Sequence, residues 1–190
     1  MRALRTALLL LLLAVLALAG CAPGDAHDAA ASQPDVDGCA GSQLRPSPAN
    51  VARVRAATLC LLNAQRARAG ERPLNENARL QSAAEGHSLD MSQRKFFEHR
   101  NPEGVEPAAR IVRAGYPPIL VGENLAWGEE ERSTPAEIVR SWMGSAGHRA
   151  NVLQARYVEI GIGLAYQAPE PQPEPRAAAI YTTTFGAGGR

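Results

Sequence analysis

Charge of one sign is what this chain lacks most plainly. Its 190 residues carry 20 lysines and arginines against 19 aspartates and glutamates, a formal net charge of +1. Without a basic excess there is no electrostatic pull toward nucleic acid, and no nucleic-acid partner is expected. Lysine is nearly missing: Lys95 is the only one, and arginine carries the rest of the positive charge. That skew reads as coding bias rather than as a binding surface. There is no H-E-x-x-H helix and no glycine-rich phosphate loop, so two common signatures of metal hydrolysis and nucleotide binding are missing. Internal repeats are absent, cysteines number three, and the chain has one long apolar run.

That run is "ALLLLLLAVLALAG" at 7–20, behind Arg2 and Arg5. It is too short and too N-terminal for a comfortable membrane span, and it reads as an export signal over 1–20. It ends in "LAGC", which resembles a bacterial lipobox: cleavage before Cys21, with a diacylglycerol on its thiol. The alternative is an ordinary signal cut after Gly20. Acyl chains on Cys21 would hold the protein on a membrane surface rather than across it. Ala22, in place of an aspartate, favours the outer membrane in a cell that has two. Removing Arg2 and Arg5 leaves 18 basic residues against 19 acidic ones.

Residues 21–47 are rich in Ala, Asp, Pro, Ser and Gly and poor in large apolar side chains. Such a segment buries too little to offset its ordering entropy, so a flexible tether is expected there, with one domain at 48–190. Cys39 lies in the tether and Cys60 in the first helical stretch. If Val51, Val54, Thr58, Leu61 and Leu62 form the core stripe, Cys60 points about 180° from Val51 at 100° per residue. It faces outward, where a returning tether could reach it. In an oxidising compartment a Cys39–Cys60 disulfide is expected, the alternative being two free thiols.

Helices are predicted near 48–68, 76–93, 106–116 and 133–143. The second carries Leu80, Ala83, Ala84, His87 and Met91 on one stripe, with His87 read as a packed core histidine. The fourth opens with a capping box, Thr134 to Glu137, and Pro135 in its first turn. "ILVGENLAWG" at 119–128 is too punctuated by glycine for a helix and reads as extended chain, followed by a solvated loop at 129–132. The last third is a hairpin of strands at 157–166 and 177–186, joined by the exposed proline-rich 168–175. Val158, Ile160, Ile162, Leu164 and Tyr166 share one face of the first strand. Gly161, Gly163 and Ala165 share the other, small enough for another backbone to come close. Helices first and strands last give an α+β class with a small antiparallel sheet flanked by helices.

His99, Glu123, Ser145 and His148 are the polar candidates for a site, and spacing alone does not unite them. "LLNAQRARAGERPLNENARLQSAAEGHSLDM", "FFEH", "RIVRAGY", "GENLAWG", "SWMGSAGHRANVL", "IGIGLAY" and "TTTFG" occur in an order that resembles the CAP superfamily. That group comprises cysteine-rich secretory, antigen-5 and pathogenesis-related proteins, also called SCP domains, and the likeness is to its short bacterial branch over about 52–186. The resemblance implies an α-β-α sandwich with a cleft lined by His99, Glu123, Ser145 and His148. Ser145 falls where longer members have a second acid. It further implies that His99 and His148, with Glu123, could hold a divalent metal such as zinc. Trp142 is read as core, and Asn124 and Arg110 as donors fixing the "GEN" turn.

Two functions are weighed. The first is a lipid-anchored, monomeric binding or interaction module of the cell envelope, outside the cytoplasm, taking a lipid, wall component or protein; members of the superfamily are associated with sterol and lipid binding. The alternative is a metal-dependent hydrolase of envelope peptides or glycans, with Glu123 as candidate base. Glu123 cannot readily be both ligand and base, and Ser145 offers only a hydroxyl. Whether the chain is an enzyme is left open, with binding preferred. Ser145 and His148 as nucleophile and base lack an orienting acid and an oxyanion hole.

Overall fold

The computed structural model describes residues 35–174 and 176–188. The expected export signal at 1–20 and Cys21 lie outside the described residues. Five helices and four strands follow in the order α1 (Val51–Arg68), β1 (Asn75–Glu76), α2 (Ala78–Arg94), α3 (Pro107–Arg113), β2 (Pro118–Glu129), α4 (Pro135–Gly144), α5 (Ala146–Val152), β3 (Glu159–Ala165) and β4 (Ala178–Gly188). The sheet order is β1-β3-β4-β2. β4 runs antiparallel to both neighbours, and the two-residue β1 lies parallel to β3.

The strand pattern dictates two layers of cover. Ile160, Ile162 and Leu164 of β3 join Tyr181 and Phe185 of β4 in one apolar cluster with Val54, Leu61 and Leu62 of α1 and Ile138 and Trp142 of α4. Trp142 meets Tyr181 edge to face, and Tyr157 stacks on Phe185 with centroids 5.4 Å apart. The opposite face belongs to α2. A Cβ on Gly161 or Gly163 would overlap the α2 backbone at Leu80–Gln81 or Ala84–Glu85, so helix and strand meet backbone to backbone as the glycine alternation anticipates. Thr182 and Thr184 on this face are buried and accept or give hydrogen bonds to Ser88 and the Leu80 carbonyl. The result is an α-β-α sandwich, with α1, α4 and α5 on one side and α2 and α3 on the other.

The stripe of α2 is as read: Leu80, Ala83, Ala84, His87 and Met91 are all buried. On α1, Val54, Thr58, Leu61 and Leu62 are buried while Val51 is only half so. Cys60 faces outward and is bonded to Cys39.

Several local details differ from expectation. Residues 35–47, expected in the tether, lie against the domain: Cys39 and Ser42 are fully buried, and the Ser42 carbonyl receives the Ala136 amide at 2.9 Å. A disulfide and a main-chain bond order what composition alone would leave loose. Of the capping box, Thr134 accepts from the Glu137 amide at a long 3.5 Å, while the Glu137 carboxylate turns to Arg140. The acidic run at 129–132 forms the end of β2 and a 3-10 turn rather than a free loop, with Glu130 and Glu131 both paired to Arg45. In the proline-rich connection Ala168 is buried, its carbonyl taking the Lys95 ammonium at 3.1 Å. β1 and α5 were not foreseen.

Candidate binding site at the sheet edge

β2 is an edge strand, and its "GEN" residues divide between the two faces. Glu123 pairs across the sheet with Thr184 and shares its α2 face, whereas Gly122 and Asn124 pair with Phe185 and Thr183 on the other. Glycine is required at 122, since a Cβ there would overlap the Tyr157 hydroxyl and press on Asn151 Oδ1 at 3.1 Å. The Asn124 side chain donates to the carbonyl of His148 at 3.0 Å and accepts from Asn151 at 2.9 Å. Asn151 also donates to the Glu123 carbonyl, and Trp142 Nε1 to the Leu125 carbonyl at 3.0 Å. Side chains of α4 and α5 therefore take up alternate outward carbonyls of the edge, which both blunts it and seats α5 against it. Arg66, fully buried, secures the far end of α5 by donating to the carbonyls of Val152, Gln154, Tyr157 and Arg72.

On the α2 face the Glu123 carboxylate is enclosed, its side chain 2% exposed. One oxygen lies 2.8 Å from His99 Nδ1 and the other accepts from the Arg110 guanidinium at 2.8 Å. Arg110 also donates to the carbonyls of His99 and Val105, each at 2.9 Å. A buried carboxylate needs a cation and a full set of donors, and α3 and the loop after α2 supply both. The His99 side chain is about half exposed, so its other nitrogen, Nε2, is the one left for solvent or a ligand.

His148 comes from the opposite layer, on α5, and is half-buried. Its pKa is pushed down, first by burial and then by the charge of His99. Ser145 is the N-cap of α5, half-buried, and its side chain makes no capping bond. The structure thus joins His99 to Glu123 directly, ties the His148 backbone to Asn124 on the same strand as Glu123, and leaves Ser145 at the helix start. The loop carrying His99 also bounds an open hollow of about 380 Å³ lined by Phe96, Glu98, Arg100, Asn101, Pro102 and Gly104.

Zinc ligation through His99, Glu123 and His148 does not fit this arrangement. Both carboxylate oxygens already hold strong partners, and two imidazoles fall short of the three protein ligands of an open zinc site. Among the described residues no group of three or more histidine, cysteine, aspartate or glutamate side chains is placed to hold a metal ion. Glu123 sits behind His99, orienting its ring. Arg110, expected only as a donor fixing the "GEN" turn, also neutralises Glu123. A carboxylate on a core-facing strand position demands a cationic partner, but no sequence pattern names which one.

The profile of the cysteine-rich secretory protein family, CAP, matches residues 59–181. The uncharacterized protein YkwD of Bacillus subtilis (strain 168) is 33% identical over 117 residues, covering 62% of this chain and 44% of YkwD. An extracellular protein containing an SCP domain from Bacillus anthracis superposes with a TM-score of 0.58 at 24% identity, over 74% of this chain and 45% of that one. An outer surface protein of Borrelia burgdorferi gives a TM-score of 0.57 at 19% identity, over 67% of this chain and 87% of its own. The chain spans less than half the length of these two Bacillus proteins.

Proposed function

The chain belongs to the cysteine-rich secretory protein family, and from that premise we propose that it is a lipid-anchored, extracytoplasmic binding module whose ligand seats against His99 and His148. The observation that carries this reading is the state of Glu123. Its two oxygens are spent on Arg110 and His99, so it steadies an imidazole instead of activating water. A hydrolase would need a free carboxylate base, and Ser145 stands where a second acid would be. The half-exposed imidazoles offer hydrogen-bonding nitrogens, suited to a ligand carrying hydroxyls and amides such as a cell-wall fragment. The "LAGC" segment supports anchoring at Cys21, and the extracellular and outer-surface descriptions of the B. anthracis and B. burgdorferi proteins are in keeping with export. No helix among the described residues is long and apolar enough to cross a membrane.

Two experiments test the reading. Soluble muropeptides titrated into the full chain are expected to shift the ring resonances of His99 and His148, with the response lost in His99→Ala. Rings that stay unmoved at millimolar fragment would remove this ligand class from the site. Labelling with a radioactive fatty acid is expected to mark the wild-type chain and not Cys21→Ala, and equal labelling of both would refute the anchor.

A further inference from the structure

His87 lies at the centre of the buried stripe of α2, fully enclosed. Its Nδ1 has no hydrogen-bond partner among the described residues. A leucine or methionine would occupy the same space without an orphaned nitrogen, and leaving one buried costs stability. What the imidazole contributes lies outside its own helix: Nε2 is 2.9 Å from the carbonyl of Glu98. A carbonyl can only accept, so the ring proton sits on Nε2 and the lone pair on Nδ1 is the unmatched group. Burial lowers the pKa of this ring, in keeping with a neutral imidazole.

The next carbonyl along the chain, that of His99, is held by Arg110 from α3. Two side chains from two helices therefore grip consecutive carbonyls on either side of the His99 α-carbon, while the ring itself reaches Glu123. We infer that His87 is a positioning residue: by holding the Glu98 carbonyl it fixes the His99 backbone so that Nδ1 keeps its proton against Glu123 and Nε2 faces outward. The functional meaning rests on the binding reading above, but the clamp can be tested with no ligand present.

The full chain contains four histidines, few enough to assign singly after ¹⁵N-histidine labelling. Long-range ¹H–¹⁵N spectra of the wild-type chain at neutral pH are expected to show His87 as the Nε2–H form and His99 as a single Nδ1–H form. In His87→Leu, checked for a cooperative melt, His99 is expected to relax to a mixture of both forms. In His87→Gln, whose amide can donate to the Glu98 carbonyl, the single form is expected to return. His87 found as the Nδ1–H form, or a folded His87→Leu with His99 unchanged, overturns the inference. If the leucine variant does not fold, His87→Gln decides alone, a His99 signature unlike wild type being the contrary result. Tautomers as expected together with no response to muropeptides would sink the binding reading and leave the clamp standing.

Discussion

At the scale of single residues, Glu123 carries the most consequence. It is a buried charge with two partners drawn from two other elements, so removing its charge strands Arg110, whose side chain is only 12% exposed. Glu123→Gln is expected to lower stability by about 3 kcal/mol in urea denaturation, and a loss under about 0.5 kcal/mol would mean the carboxylate is not so held. His87 and His148 set a pH dependence of definite sign. Burial is the first cause of both lowered pKa values, with Glu123, Arg110 and Asp90 acting on His87 besides and His99 on His148. The unfolded chain therefore binds more protons than the folded one below the ordinary histidine value of about 6.5. Stability is expected to fall as pH drops from there toward the lowered folded values, seen as a declining melting temperature between pH 7 and 5, with a shallower decline in His87→Leu. The His99–Glu123 pair was legible through the ordered family motifs. Arg110's part in it was not, because a charge pair across two elements leaves no periodic trace in the sequence.

At the scale of elements, the alternation in "YVEIGIGLAY" was the most informative signal. It gave both faces of β3, and the small face is where α2 lies backbone to backbone. Gly163→Ala must push α2 off the sheet, and a loss of about 1–3 kcal/mol in chemical denaturation is expected. An unchanged midpoint would show that the helix has slack. α5 escaped prediction for a physical reason: of its seven residues only Val152 is buried, so no apolar stripe marks it. It is placed by polar ties instead, from Asn124 and Asn151 on one side and Arg66 on the other. Arg66→Met leaves four carbonyls without their common donor. It is expected to destabilise the chain by about 2–4 kcal/mol and to displace the His148 resonances, a readout that uniform loosening of α1 would not single out.

At the scale of the whole molecule, the layer order follows from one long β4 buried on both faces, with the site at the β2 edge of the sheet. The Cys39–Cys60 bond draws residues 35–47 into the domain, so the composition of that stretch misled while the outward angle of Cys60 did not. Closing a loop with a sequence separation of 21 is worth roughly 3 kcal/mol, and reduction is expected to lower stability by about that amount and to expose the segment to proteolysis. The central claim is that β2, α3 and the loop after α2 converge on one carboxylate. A double-mutant cycle between Glu123→Gln and Arg110→Met, followed by equilibrium denaturation, tests it most directly. A coupling of about 2 kcal/mol is predicted, and effects that add to within about 0.5 kcal/mol would contradict it.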